Sequence, residues 1–333
     1  MAGLAAGVAV LWGCAAAPAG RGASGSTSGS TSAARVERGV PNAAGAPDGT
    51  QPVTAQDGLR APEAVRYDAD ADVYFVSNWN SGPASALDNN GYISRLRPDG
   101  TVEQARFIAG GTGGVTLHAP RGLAIVGDTL WAADADAVRG FDRRTGAPVA
   151  TVSFAGRDVG FLNDVAPGPD GALYVTDTGR DRIYRIAGRT VTVAVADSAL
   201  GDPNGITWDA AGGRFLVVPF GGAHVIRGWR PGQTTFDVVG TSSGAQFDGV
   251  EILAALDGAS EGGGQLRVLV ASQADSSLHL FAGPVGGPLV GRAVIRLAGR
   301  PADIGVDTRR QRVAVPFVAR DRVEIWPLPS GSR

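Results

Sequence analysis

The sequence predicts an all-β fold, a six-bladed β-propeller built from four-stranded antiparallel blades. The first observation is a four-residue phrase that recurs at steps of 58, 42, 41, 44 and 54 residues, near the length of one propeller blade. The second is a content of 50 glycines and 20 prolines, which suits a chain with many tight turns. The six phrases are PEAV at 62–65, PRGL at 120–123, LNDV at 162–165, PNGI at 203–206, FDGV at 247–250 and PADI at 301–304.

Each phrase is interpreted as the first strand of a blade, and two further strand signals follow it in every repeat. These runs are short, rich in β-branched and aromatic residues, and bounded by Gly, Asp or Pro. Fourth strands follow in the first five repeats, for example at 102–108 and 190–195. The second strands are predicted at 72–78, 129–135, 172–178, 214–220, 266–272 and 311–317, and the third strands at 92–97, 138–142, 182–186, 225–229, 277–281 and 323–326.

The sixth repeat ends after its third strand, so its fourth strand must come from elsewhere in the chain. Residues 51–56 precede the first phrase and have no other partner in the repeat pattern. We expect this N-terminal segment to add the last strand to the sixth blade, because that pairing closes the ring and covers a bare sheet edge. The propeller is therefore predicted to span residues 51–329.

The 50 N-terminal residues differ from the repeats in composition. Residues 1–14 resemble a lipoprotein-type signal peptide, since a short apolar run ends in LWGC at Cys14, the single cysteine and predicted lipidation site. Residues 15–50 consist mainly of Gly, Ala, Ser, Thr and Pro, which predicts a flexible tether. We expect an exported protein that is lipid-anchored at the periplasmic face of the cell envelope. An ordinary secretory signal, which gives a secreted soluble protein, is the alternative.

The second residue of each phrase is predicted to lie at one height near the propeller axis, and together these residues form a polar column. Four of them offer oxygen donors and none is His or Cys, a set that suits a hard cation, above all Ca²⁺, rather than zinc. A water-filled ring of hydrogen bonds is the alternative. Asp164 and Asp303, one residue further along their phrases, are expected to orient the ligands or hold water. The column is Glu63, Arg121, Asn163, Asn204, Asp248 and Ala302.

These phrases resemble the SMP-30/gluconolactonase/LRE-like family, six-bladed propellers that hold one divalent metal at the axis. The family's ligands are a Glu in an early phrase, an Asn in an ND phrase, an Asn in a PNG phrase and an Asp in a DG phrase. The resemblance covers residues 51–329 and implies one divalent metal, which the oxygen donors predict to be Ca²⁺, with Zn²⁺, Mg²⁺ and Mn²⁺ as alternatives. The chain departs from the family at Phe161, where the family has a substrate-binding arginine, and at Ala64, where it has glycine. The matching ligands are Glu63, Asn163, Asn204 and Asp248.

The resemblance also implies metal-dependent hydrolysis of lactones or esters, in which Asp248 is both ligand and general base. Arg121 is predicted to bind a substrate carboxylate or oxyanion, or else to pair with an acidic residue of the column. The insertion at 78–91 is expected to overhang the column as a lid. Its Trp79 is predicted to stack on a sugar ring or to pin its own loop. His118 is predicted to be a base in a paraoxonase-like arrangement, or simply a polar loop residue.

A second interpretation of the same face remains open. A non-catalytic NHL-like propeller could use it to bind a peptide, a glycan or a partner protein, since propellers serve both roles. For the enzyme, the expected partner is a small lactone, ester or sugar acid derivative. The formal net charge of −2 gives no reason to expect nucleic acid as a partner. The sequence does not indicate an oligomeric state.

Overall fold

The structure is a computed structural model that describes residues 51–253 and 264–328, and it confirms the predicted all-β propeller. The predicted signal peptide with Cys14 and the predicted tether lie outside these residues. Across the described part of the chain, no helix is long and apolar enough to cross a membrane. The first strand of the described residues is β1 (Val53–Ala55), which belongs to the sixth blade.

Blades one to three follow the chain order, each with four antiparallel strands. Blade one contains β2 (Pro62–Asp68), β3 (Val73–Asn78), β4 (Tyr92–Leu96) and β5 (Val102–Ala109). Blade two contains β6 (Leu123–Val126), β7 (Thr129–Ala133), β8 (Ala137–Asp142) and β9 (Pro148–Ser153). Blade three contains β10 (Leu162–Pro167), β11 (Leu173–Asp177), β12 (Arg182–Ala187) and β13 (Thr190–Ala196).

Blades four to six repeat this plan, and 3₁₀ turns lie between some of the strands. Blade four contains β14 (Pro203–Asp209), β15 (Arg214–Pro219), β16 (Val225–Trp229) and β17 (Asp237–Thr241). Blade five contains β18 (Phe247–Leu253), β19 (Gln265–Ser272), β20 (Ser277–Pro284) and β21 (Leu289–Arg296). Blade six contains β22 (Gly305–Asp307), β23 (Arg312–Phe317), β24 (Arg322–Pro327) and β1. The 3₁₀ turns are Thr178–Arg180, Ser198–Leu200 and Val318–Arg320.

The first strand of each blade lies innermost, around a central axis. The strands β2, β6, β10, β14, β18 and β22 contact one another in that order, and β22 contacts β2. The predicted closure is confirmed, because β1 pairs antiparallel with β24 and sets Val53 opposite Ile325. We call the side of the ring where the chain enters the inner strands the site face. The loops that join second to third strands emerge on the same side.

The hydrophobic core is divided into six clusters, one between each pair of neighbouring blades. Between blades three and four, for example, the ring centroids of Tyr174 and Phe215 lie 4.5 Å apart. The second strands β3 and β15 are buried along their whole length, because a neighbouring blade covers each face. Each large apolar side chain buried in this way contributes roughly 1.5–3 kcal/mol to folding.

Blades four and five depart from the regular plan of separate sheets. Their outer strands β17 and β21 pair in parallel, with Gly240 opposite Leu289, so the two blades form one eight-stranded sheet. A Cβ atom at Gly240 would lie only 2.8 Å from the ring of Phe281 and 3.2 Å from Leu289. The close approach of the two outer strands therefore depends on the missing side chain.

Candidate functional site

Four inner strands carry a bulge at the same position. In blade one, the pairing of β2 with β3 shifts between Val65 and Pro62, so that two inner-strand residues face the single residue Ser77. The pairing shifts in the same place in blades three, four and five. Bulges of this kind redirect side chains and are common beside functional sites. The residues inside these bulges include all four predicted ligands: Glu63, Asn163, Asn204 and Asp248.

Blades two and six differ from the other four at this height. Their inner strands begin only after the column residue, at Leu123 in β6 and at Gly305 in β22. These blades carry Arg121 and Ala302 in the column, which are not predicted ligands. The four bulged blades are thus the same four blades that supply the predicted oxygen donors.

Backbone contacts between neighbouring blades show that the phrases lie at one height. The Asp303 N–H donates to the Glu63 carbonyl at 2.9 Å, and the Gly122 N–H donates to the Asn163 carbonyl at 3.0 Å. A Cβ atom at Gly205 would lie 2.3 Å from the Asp248 carbonyl oxygen. The small residue that follows the column residue therefore allows the inner strands to meet around the axis.

Three of the four predicted ligands present an oxygen that has no hydrogen-bond partner. These atoms are Glu63 Oε2, Asn204 Oδ1 and Asp248 Oδ1, and all three residues are at most 5% exposed. Leaving a buried polar atom unpaired costs about 1–3 kcal/mol, and more when the group is charged. Such groups call for an explanation, and a bound ion that receives their lone pairs is one.

The remaining contacts of these ligands fix their orientation. The Gln273 Nε2 group donates to Asp248 Oδ2 at 2.7 Å and leaves Oδ1 free. The Asn163 Nδ2 group donates to Thr178 Oγ1 at 2.9 Å, which turns the amide nitrogen of Asn163 toward Thr178. Since an amide nitrogen cannot bind a cation, this contact leaves the Asn163 oxygen as the group available to one.

The two predicted supporting acids, Asp164 and Asp303, lie beside the column and have different partners. Asp164 accepts the Ile206 N–H at 2.9 Å and the Val165 N–H at 2.7 Å. The Arg66 guanidinium lies 3.5 Å from Asp303 Oδ2, whereas Asp303 Oδ1 has no partner. Asp164 therefore links two inner strands, and Asp303 retains a free oxygen near the axis.

Burial raises the pKa of four carboxyl groups at the axis, those of Glu63, Asp164, Asp248 and Asp303. Repulsion adds to this effect, because Asp248 raises the pKa of Glu63 and Asp164 raises that of Asp303. The nearby cations are the guanidinium groups of Arg121 and Arg66, and Arg66 also contacts Glu251. Five acids, counting Glu251, share two guanidinium groups, and a divalent cation at the axis would favour the ionised carboxylates against burial and mutual repulsion.

Arg121 lies in the column, almost completely buried. Its guanidinium donates to the carbonyls of Leu162 and Ala84, and it stacks 3.8 Å from the centre of the Phe161 ring. The attraction of Glu63 opposes the effect of burial, which lowers the pKa of Arg121. Thus the Phe161 ring packs against a guanidinium supplied by another blade.

The loop 79–90 lies over the column, as expected for a lid. Ala84 contacts Arg121, and the Trp79 ring packs edge-on against Phe161 at 6.5 Å between centroids. The Asn89 N–H donates to His118 Nδ1 at 2.9 Å, which connects the loop to blade two. Two of the predicted substrate contacts, Trp79 and His118, therefore hold this loop in place.

A second acidic cluster lies beside His118 in blade two. One potential donor atom from each of His118, Asp134 and Asp136 lies within 4.8 Å of the others. These donors are already engaged, because Arg139 donates to both carboxylates at 2.6 Å. Asp134 also accepts the backbone N–H groups of His118 and Ala119. A cation here would compete with a guanidinium, so this cluster fits a metal poorly.

The axial residues fit a hard divalent cation better. Carboxylate and amide oxygens are the donors that Ca²⁺ prefers, and Ca²⁺ tolerates irregular geometry. The donor set contains neither the nitrogen nor the sulfur ligands that are typical of structural zinc sites. The unpaired oxygens of Glu63, Asn204 and Asp248 are the observation that supports this fit.

Gln273 is a site residue that the sequence reasoning missed. It is 7% exposed, bonds to Asp248, and has a further buried oxygen, Oε1, without a partner. It directly follows β19, in the register that Thr178 occupies after β11. The residues that directly follow the second strands form a second repeat position, and this position contains both Gln273 and Thr178.

Comparisons with known proteins support the fold. No protein-family model and no curated protein matches the chain. A gluconolactonase from Xanthomonas campestris superposes with a TM-score of 0.59 and 18% identity, over 89% of this chain and 100% of that one. A catalytically inactive virginiamycin B lyase from Staphylococcus aureus with quinupristin superposes with a TM-score of 0.54 and 13% identity, over 84% of this chain and 98% of that one. A streptogramin B lyase superposes with a TM-score of 0.55 and 11% identity, over 84% of this chain and 97% of that one.

Proposed function

We propose that this protein is a divalent-cation-dependent hydrolase that opens lactones or esters at the propeller axis, with Ca²⁺ as its resident ion. The observation that carries the proposal is the set of unpaired buried oxygens on Glu63, Asn204 and Asp248. These three oxygens come from three different blades, so packing within one blade does not explain why all of them lack a partner. A ligand shared between the blades would satisfy them together. The likeness to a gluconolactonase propeller agrees with this function.

Glu63, Asn163, Asn204 and Asp248 would hold the ion. The ion would polarise the substrate carbonyl and stabilise negative charge on its oxygen. The protein contributes a buried, pre-organised site, in which electrostatic interactions are stronger than in water. The bulged inner strands hold the donor side chains on rigid elements, so little reorganisation is needed when substrate arrives.

Asp248 is the proposed general base that takes a proton from the attacking water. Its Oδ2 atom is held by Gln273, and its Oδ1 atom is free. Two different environments on one carboxylate suit a group that both binds an ion and accepts a proton. Glu63 carries the second full negative charge of the donor set.

Arg121 is the proposed contact for the substrate's acyl oxygen or for the carboxylate of the product. Its guanidinium donates to the carbonyl oxygens of Leu162 and Ala84, and its Nε has no partner. Since Ala84 belongs to the loop 79–90, movement of this loop would release one of the guanidinium's donors. The donor would then become available when the site opens to substrate.

The loop 79–90 is the proposed lid. Every column ligand is at most 5% exposed, so a substrate reaches the donors only when something moves. The contacts that hold the loop closed are Ala84 with Arg121, Trp79 with Phe161 and Asn89 with His118. Lids of this kind exclude water and commit the substrate to reaction.

The function is tested with a panel of aldonolactones, alkyl lactones and aryl esters, each assayed with Ca²⁺ and with a chelator. We expect turnover that needs the cation and that falls at least about 100-fold in Asp248→Asn. Asp136→Asn is the matched control, because Asp136 lies in the second acidic cluster and should keep full activity. Turnover that survives both chelation and Asp248→Asn would contradict the proposal.

The second candidate is a non-catalytic binding propeller. The observation in its favour is the complete burial of the donors beneath the loop, a state in which an ion could serve structure alone. Tight Ca²⁺ binding without turnover of any lactone or ester would support this candidate. Because a virginiamycin B lyase with quinupristin is among the similar structures, quinupristin is added to the assay as a third kind of substrate.

We also propose that the propeller acts at the periplasmic face of the cell envelope, anchored through Cys14. Labelled fatty acid should be incorporated into the wild-type protein during expression in a bacterial host, and Cys14→Ser should abolish the label. Secretion of the unlabelled wild-type protein in soluble form would favour the ordinary signal peptide.

A further inference from the structure

Six side chains share one register at the ends of the second strands and form what we call the mouth ring. In blade one, Val65 pairs with Val76, and Trp79 follows three residues later. In blades two to five, the same register belongs to the residue three positions after the second-strand partner of the last phrase residue. In blade six, where Gly305 pairs with Ala314, it belongs to the residue four positions after Ala314. Residues in one register of equivalent sheets point the same way. The mouth ring is Trp79, Ala135, Thr178, Phe220, Gln273 and Val318.

Contacts of three members place the mouth ring directly above the column. Thr178 accepts the Asn163 amide, and Gln273 donates to Asp248. Trp79 packs on Phe161, whose ring covers Arg121. Ala135, Phe220 and Val318 occupy the equivalent positions of their blades. All members except the buried Gln273 are partly exposed, so they border the opening to the donors.

The mouth ring is largely apolar, and each of its two polar side chains, Thr178 and Gln273, makes at least one hydrogen bond to the residues around it. Trp79, Ala135, Phe220 and Val318 offer carbon surface, and Phe161 adds another ring beside them. The Thr178 hydroxyl donates to the Pro203 carbonyl at 2.7 Å. Gln273 uses its Nε2 group on Asp248, whereas its Oε1 atom and the Nε1 atom of Trp79 are buried without a partner. A sugar would thus find two unpaired polar atoms in the mouth ring, set among four side chains that offer mainly carbon surface.

We propose that the substrate opened at this axis has an apolar acyl body, alkyl or aryl, instead of a polyhydroxylated one; this rests on the proposed hydrolase function. Hydroxyl groups buried against Phe161 and Phe220 would lose their bonds to water and gain none, which weakens binding. Methylene groups in the same place would gain affinity, roughly fourfold for each one buried.

The test compares two six-membered lactones, δ-decalactone and D-glucono-δ-lactone, in the Ca²⁺-loaded wild-type protein. We expect kcat/KM to be at least about tenfold higher for δ-decalactone, and to fall as the alkyl chain is shortened. Phe220→Asn should reduce that preference about tenfold and leave Ca²⁺ affinity, measured by calorimetry, unchanged. Val193→Asn is the control, because Val193 lies half-exposed on the outer strand β13 and should change neither quantity.

The outcomes separate this inference from the function on which it rests. Equal kcat/KM for the two lactones, or a preference for gluconolactone, would overturn the apolar substrate while leaving the hydrolase intact. If neither is hydrolysed with Ca²⁺ bound, the proposed function fails. Calorimetry with the ring-opened acids then decides: tighter binding of 5-hydroxydecanoate supports the apolar mouth, and equal or tighter binding of gluconate overturns it.

Discussion

The two acidic clusters on the site face both contain buried carboxylates, but in one cluster the carboxylates are paired and in the other some of their oxygens are not. In the blade-two cluster, Arg139 and backbone N–H groups satisfy Asp134, and Arg139 also holds Asp136. At the axis, Glu63 and Asp248 each retain a buried oxygen without a partner. The comparison teaches that the number of carboxylates does not identify a cation site. Buried oxygens without a partner identify such a site, because a bound cation would stabilise them and would not displace an existing partner.

The largest effect should come from removing a charge at the axis. Asp248→Asn should weaken Ca²⁺ binding by about 100-fold or more, since affinity depends on the number of charged ligands. The cation-free variant should melt at a higher temperature than the cation-free wild type, because Asp248 no longer repels Glu63. Calorimetry and thermal melts with chelator measure both. Wild-type Ca²⁺ affinity in Asp248→Asn would show that Asp248 does not bind the cation.

The same substitution in the blade-two cluster should have the reverse pattern. Asp134→Asn should lower the free energy of unfolding by about 2 kcal/mol, because Arg139 loses a charged acceptor while buried. Its Ca²⁺ affinity should equal that of the wild type. Urea unfolding measures the first quantity and calorimetry the second. A loss of Ca²⁺ affinity here would show that the two clusters were assigned the wrong way round.

A smaller effect is expected from the group that orients Asp248. Gln273→Leu removes the amide that holds Asp248 Oδ2, and it should weaken Ca²⁺ binding about tenfold. Gln311→Leu is the control, because Gln311 is exposed on the opposite face and donates to the Thr308 carbonyl. Unchanged affinity in Gln273→Leu would mean that Asp248 is positioned by the bulge alone.

The smallest effect concerns Asp275, another paired acid on the site face. Burial alone would raise its pKa, but hydrogen bonds from His279 and Ser277 prevail and hold it well below its ordinary value. A lowered pKa contributes stability above the ordinary Asp pKa, and this stability is lost as the pH falls below about 4. Asp275→Asn should therefore cost less than about 1 kcal/mol at pH 7 and less still at pH 3. Urea unfolding at both pH values tests this, and a larger cost at pH 3 would contradict it.

Most of the fold could be predicted because its signals are local. The second strands read as short β-branched runs between turn residues, and the observed β3 and β15 differ from the predicted ranges by one residue. The closing strand could be predicted by counting, since the last repeat lacked a fourth strand. The pairing of β17 with β21 could not, because it depends on contacts around Gly240 that join distant parts of the chain.

The column of the candidate site could be aligned from the repeats, but the details that give it chemistry could not. The bulges at Glu63 and Asp248 depend on strand register, which a phrase does not encode. Gln273 comes from a register that was not compared between repeats. That Arg139 satisfies Asp134 depends on the shape of one blade. Sequence reasoning thus located the axis, while the structure separated free oxygens from satisfied ones.

The most direct test of the central claim is a crystal soaked in Mn²⁺ as a stand-in for Ca²⁺, with an anomalous difference map. We expect one strong peak on the propeller axis, about 2.1–2.6 Å from oxygens of Glu63, Asn163, Asn204 and Asp248. A peak at His118, Asp134 and Asp136 with none on the axis would contradict it, as would an axis that stays empty at saturating Mn²⁺.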